Sequence, residues 1–98
     1  MRSSYLLTNY EILVSQTAAT ELRALEKSLQ ERIKEKLREL ANDPSNKNGR
    51  LDVKKLSATG RNYSRLRVGE YRIIFFLEEM SIKVVRIAKR SDVYSWLD

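Results

Sequence analysis

The stretch RLRVGEYRIIFF, residues 65–76, sets Arg65, Arg67 and Arg72 into an otherwise alternating apolar pattern. A guanidinium is planar, permanently charged and able to give two parallel hydrogen bonds to a carboxylate or a phosphate. Three of them on one surface can orient a phosphate and stabilise negative charge that builds on it. Whether they share a surface depends on the hairpin. With Gly69 and Glu70 as a two-residue turn, Gly supplying the positive φ, Val68 faces Tyr71, Arg67 faces Arg72 and Arg65 faces Ile74. Opposed residues share a face and faces alternate along each strand. Leu66, Val68, Tyr71, Ile73 and Phe75 then form one apolar face. Arg65, Arg67 and Arg72 fall on the other, with Ile74 and Phe76 further along as exposed apolar positions. A turn longer by one residue would move Arg72 across the sheet.

Charge points the same way. The formal net charge is +6. Residues 1–46 are neutral, whereas residues 47–72 hold eight basic side chains (Lys47, Arg50, Lys54, Lys55, Arg61, Arg65, Arg67, Arg72) against Asp52 and Glu70, which equals the whole excess. Such asymmetry suits a polyanionic partner, nucleic acid first and an acidic protein second; a solvated basic face is the plain alternative. The chain has no histidine and no cysteine. That removes the usual general base near neutral pH, thiolate metal sites and disulfides. No Asp/Glu cluster with metal-ligand spacing stands in their place, so neither metal nor cofactor is expected.

The elements that must position these arginines fit one domain over residues 1–98. YEILVS, residues 10–15, predicts the first strand, with residues 1–9 either disordered or part of it. Leu22, Leu25, Leu29, Ile33, Leu37 and Leu40 recur at helical spacing, which predicts one apolar stripe. Ser28 and Glu31 form a capping-box pattern and divide the stripe into helices over 17–27 and 29–42; one continuous helix is the alternative. NDPSNKNGRLD ends the helix, since Asp43-Pro44 cannot continue it and Asn48-Gly49 marks a turn. VKKLSATGRN leads into the hairpin. SIKVVRIAKR, residues 81–90, is a further strand of undetermined register, and Ser91 is a candidate N-cap for a short C-terminal helix. The fold class is α+β: a mostly antiparallel twisted sheet, an N-terminal helical hairpin on one face and a short C-terminal helix, in the order β-α-α-β-β-β-α. No apolar run reaches the ~20 residues of a membrane span, and the N-terminus lacks an apolar signal core. A cytoplasmic location is expected.

DVKKLSATGRNYSRLRVGEYRIIF, followed by a strand and then KRSDVY, resembles the RelE/ParE toxin superfamily of toxin–antitoxin pairs, over about Tyr10 to Tyr94. The resemblance implies the helix-on-sheet layout above. Its RelE branch implies a metal-independent endoribonuclease that cuts messenger RNA in the ribosomal A site and is restrained by a cognate antitoxin, with no membrane and no small-molecule cofactor. Carried over by position, Arg65, Arg67, Arg72, Arg90 and Tyr94 make up the catalytic set. From their charge, and not from the resemblance, Lys54, Lys55, Arg61 and Lys89 are read as general RNA contacts, with solvated loop charges as the plain alternative for Lys54, Lys55 and Arg61. RelE members often hold lysines where Arg65 and Arg67 stand, which bears on proton transfer and not on phosphate binding. The ParE branch implies instead a DNA gyrase inhibitor that cuts nothing; a third reading is an inactive antitoxin-binding homologue.

Such a nuclease uses the ribose 2′-OH against the adjacent phosphate. Arginine, with a pKa above ~12, binds and stabilises phosphate but moves protons poorly. Tyr94 is the leading proton-transfer group, with Lys89, Lys54 and Lys55 as weaker ones. On residue type alone, Tyr94 beside Val93 and Trp96 also fits a helix packed on the sheet, and Arg72 also fits an ordinary ion pair with Glu70, Glu78 or Glu79.

Overall fold

The computed structural model describes residues 9–56 and 62–89. The expected C-terminal helix, and with it Arg90, Tyr94 and Trp96, lies outside the described residues, as do Arg61 and residues 1–8.

Strand β1 (Glu11–Val14) leads through Ser15 into helices α1 (Gln16–Arg23) and α2 (Lys27–Asn42). Strands β2 (Val53–Lys55), β3 (Ser64–Val68), β4 (Tyr71–Glu78) and β5 (Ser81–Lys89) follow. The five strands form one sheet in the order β1-β5-β4-β3-β2, with β1 parallel to β5 and every other pairing antiparallel. The α+β expectation holds. Strand β2 is an addition to it, too short at three residues to show a period, and pairs along β3 as a sheet edge.

The helices separate earlier than the capping pattern predicts. The break falls at Ala24–Glu26, and Ser28 lies inside α2, whose N-cap Glu26 makes no side-chain capping bond. Gln30 does the linking: its Nε2 donates to the Leu25 carbonyl at 2.8 Å. The earlier break lets Leu22, Leu25 and Leu29 all pack on the core beside fully buried Ile33 and Leu40. That core lies between the helices and the sheet face bearing Leu66, Val68, Ile73, Phe75, Ile82, Val84 and Ile87.

Two local devices set the sheet. A β-bulge interrupts the β4–β5 register, so Phe75 pairs with Val84 while Ile74 pairs with Arg86, leaving Val85 as the extra residue. Strand alternation alone would put Val84 and Ile87 on opposite faces. The bulge returns both to the helix side, and so turns Ala88 to the other side, opposite Arg72. At the β5 edge beyond the end of β1, α1 takes over. Ser15 caps α1 by accepting from the Ala18 N–H and donates its hydroxyl to the Val85 carbonyl. Glu21 accepts the Ile87 N–H at 2.7 Å and pairs with Arg86 at 2.8 Å. An edge N–H that would otherwise be open to another strand is thus occupied.

The β4–β5 turn places Glu79 and Met80 at φ +50° and +64°. This is the double positive-φ pattern that favours Asn-Gly, and side chains with a Cβ pay for it in steric strain. Met80→Gly is therefore expected to stabilise the fold by about 1 kcal/mol. The check is a higher denaturant midpoint at unchanged slope; a lower midpoint would show that the exposed Met80 side chain makes contacts worth more than the strain.

Candidate phosphate-binding site

The β3–β4 register is the one the sequence predicts: Val68 opposite Tyr71, Arg67 opposite Arg72, Arg65 opposite Ile74. Gly69 opens the turn at φ +61°. Arg65, Arg67 and Arg72 therefore rise from one face, away from the helices.

Like charges this close need acceptors between them, and two are present. The Gly69 carbonyl accepts from Arg67 Nε and from Arg72 Nη1, each at 3.3 Å. Asp52 stands on the other side of Arg67. Arg65 Nη1 donates to the Asp52 carbonyl at 3.1 Å and to its Oδ1 at 2.9 Å, while Arg67 Nη1 lies 3.8 Å from Oδ2. The order across the face is Arg65, carboxylate, Arg67, carbonyl, Arg72.

Among the described residues, Nη2 of all three guanidinium groups makes no hydrogen bond. Arg72 is buried, at 8% exposure, and its Nη1 is satisfied by the carbonyls of Gly69 and Tyr71. It pairs with none of Glu70, Glu78 or Glu79; Glu78 pairs with Lys83. Beneath the arginines lies an apolar floor. Ile74, fully buried opposite Arg65, and Ala88, opposite Arg72, pack with Leu56, Tyr63 and Val85. A low-dielectric floor of this kind strengthens the field that an approaching anion meets.

The other expected site residues divide by strand parity. Lys54 pairs with Arg65 and shares the arginine face. Lys55 pairs with Ser64, which faces Phe75, and Lys89 pairs with Tyr71, so both fall on the helix side. Both therefore stand on the opposite face of the sheet from the arginines. Arg61, Arg90 and Tyr94 lie outside the described residues. Ile74 and Phe76 are also not the exposed apolar positions expected. Ile74 is sealed, and Phe76 is half-buried with its ring edge-on to Tyr63 at 5.8 Å. Among the described residues, the exposed large apolar side chains are Leu13, Val14, Leu77 and Met80, on β1 and at the far end of the β4–β5 hairpin. Among the described residues no group of three or more acidic side chains could hold a metal ion, and no helix is long and apolar enough to cross a membrane.

Residues 12–94 match the family model of the ParE toxin of type II toxin–antitoxin systems. The chain belongs to the RelE/ParE toxin superfamily. It is 30% identical to Toxin RelE3 of Methanocaldococcus jannaschii over 86 residues, 88% of this chain and 97% of that protein. Among solved structures it is similar in fold to a chain of the archaeal RelE–RelB complex from Pyrococcus horikoshii OT3, with TM-score 0.72 and 26% identity over 86% of this chain and 98% of that one. The RelB–RelE complex from Methanococcus jannaschii is similar too, with TM-score 0.68 and 30% identity over 88% and 99%.

In this RelE/ParE chain the residue that sequence reasoning passes over is Asp52. Its delivery is local. Leu51 is buried, and Asn46 brackets it by donating to its carbonyl at 2.7 Å and accepting its N–H at 3.2 Å. With Leu51 fixed inward, Asp52 is presented outward, and its carbonyl accepts the Arg67 N–H at 2.9 Å. The available signal was one acid flanked by Leu51 and Val53 within a basic stretch.

The hydrogen bond from Arg65, reinforced by the charges of Arg65, Arg67 and Arg72, holds the Asp52 carboxyl below its ordinary value of 3.8. A carboxyl whose value is lowered on folding adds stability that is complete above the unfolded value and is lost as pH falls through the folded one. A carbon-detected NMR titration should therefore place the Asp52 midpoint below 3.8, and Arg65→Ala should raise it. A midpoint that Arg65→Ala leaves unmoved would show that the pair does not form in solution.

Proposed function

We propose that this chain is the toxin of a type II toxin–antitoxin pair and acts as a ribosome-dependent endoribonuclease on messenger RNA. The observation that carries the reading is the set of three guanidinium groups on one sheet face, each with Nη2 uncommitted among the described residues. Three fixed positive charges over an apolar floor suit a phosphodiester whose charge rises as the 2′-OH attacks it. Arg72, the most buried of the three, is assigned to the developing charge. Arg65 and Arg67 are assigned to orienting the phosphate, with Arg90 completing the set.

Proton transfer falls to Tyr94, the position the family resemblance gives that role, since a phenol can serve as a general acid or base. Lys54, on the same face as Arg65, is the second choice. The reaction so described uses protein side chains alone. The basic stretch from residue 47 to 72 supplies general attraction to RNA and, in the restrained state, to a cognate antitoxin. Partnership of that kind is supported by the two similar solved complexes, RelE with RelB from Pyrococcus horikoshii OT3 and the RelB–RelE antitoxin–toxin complex from Methanococcus jannaschii.

The family model carries the ParE name, so gyrase inhibition is the reading to test beside the first. Purified protein is expected to cut mRNA on programmed ribosomes, seen by primer extension, and to leave gyrase supercoiling unaffected. Arg72→Ala is expected to reduce the cutting about 100- to 1000-fold, the usual loss for one donor to a developing charge, with circular dichroism unchanged. Tyr94→Phe should also lower the rate. Supercoiling inhibition with normal translation would assign the chain to the ParE mode, and full cutting by Arg72→Ala would remove that arginine from the site.

A further inference from the structure

A carboxylate in the middle of an anion-binding face works against the attraction the face exerts. Asp52 therefore calls for a reason to be there, and its geometry supplies one. Both of its contacts with Arg65, through the backbone carbonyl and through Oδ1, use Nη1. Its approach to Arg67 also uses Nη1. The carboxylate thus holds one branch of each guanidinium and leaves Nη2 of both uncommitted.

Asp52 is itself held in place, by buried Leu51 before it and by the Arg67 N–H on its carbonyl. Arg65 makes two hydrogen bonds to Asp52, at 3.1 and 2.9 Å, and its side chain is 14% exposed. Arg67 makes only the longer ion pair to Asp52, at 3.8 Å, and is 54% exposed. An arginine side chain left alone samples many rotamers, and fixing one in advance removes an ordering cost from the moment of binding.

We propose that Asp52 is a positioning residue: it aligns Arg65, and more loosely Arg67, so that their free Nη2 donors meet the scissile phosphate together. The proposal rests on the nuclease reading above. It makes a signed distinction. Removing the negative charge strengthens the field of the face and so favours RNA binding. Losing the alignment slows the chemistry. Asp52→Asn is therefore expected to bind RNA as tightly as the wild type or more tightly, while cutting it more slowly. A purely structural role would weaken both, and a purely repulsive role would raise both. The Asp52 side chain is about half exposed, and exposed pairs of this kind contribute little to stability, so the variant should fold.

The experiment compares wild type, Asp52→Asn and Asp52→Glu. The first measurement is single-turnover cutting on programmed ribosomes. The second is affinity for an RNA carrying a 2′-O-methyl group at the scissile nucleotide, across a salt series. The third is the Arg65 Nε–Hε signal in an NMR spectrum of the free protein. Expected are a rate about 10- to 100-fold lower for Asp52→Asn at equal or higher affinity, partial recovery in Asp52→Glu, and an Arg65 signal that moves toward the averaged arginine position in Asp52→Asn. Wild-type cutting with an equally fast Asp52→Asn would overturn the proposal and leave the nuclease reading standing. No cutting by the wild type would overturn the nuclease reading and, with it, the scissile phosphate as the target of the alignment. In that case the Arg65 signal decides the alignment, and an unchanged signal in Asp52→Asn overturns it as well.

Discussion

A backbone carbonyl and one carboxylate keep three arginines side by side. Without the Gly69 carbonyl between Arg67 and Arg72, and Asp52 between Arg65 and Arg67, three adjacent cations would turn outward into water and apart from one another. Alternation of charge and acceptor lets them remain neighbours while keeping one branch of each for a ligand. The arrangement uses the backbone of a tight turn as part of the site. The glycine at that turn therefore has two roles: it adopts φ +61°, and it aims its carbonyl at two guanidinium groups.

The rest of the fold can be read as what holds this face in register. Leu66, Val68, Ile73 and Phe75 lock the hairpin to the helices from behind, and a slip of one residue would send every arginine to the wrong side. The bulge at Val85 matters for the same reason. It lets β5 bury Val84 and Ile87 together and puts the small Ala88 opposite Arg72, where a longer side chain would compete for the guanidinium's space. Helix α1 closes the β5 edge through Ser15 and Glu21. Stability on one face and chemistry on the other thus depend on the same strand pairings.

Much of this was legible in the residues. The turn chemistry of Gly69-Glu70 and the alternation on either side determine the hairpin pairing, and with it the shared face of the arginines. The leucine stripe gives the helical layer. What escaped has physical reasons. The faces of Lys55 and Lys89 depend on pairings that sequence does not reveal, one through a three-residue strand and the other across a bulge. Ile74 and Phe76 looked exposed because a sheet face carrying arginines reads as solvated; a second small apolar cluster with Leu56 and Tyr63 covers Ile74. Ser28 and Glu31 matched a capping box, yet Gln30 bonding back to Leu25 ends the preceding turn first. Asp52 escaped because its importance comes from contacts 13 residues away in sequence, which no local pattern encodes.

The central claim is that Arg65, Arg67 and Arg72 form a single anion site. Titration of the isotopically labelled protein with inorganic phosphate, following the three guanidinium Nε–Hε resonances by NMR, tests it directly. A single site requires all three signals to shift along one saturation curve with one dissociation constant. Three independent curves, or a response confined to one arginine, would contradict it.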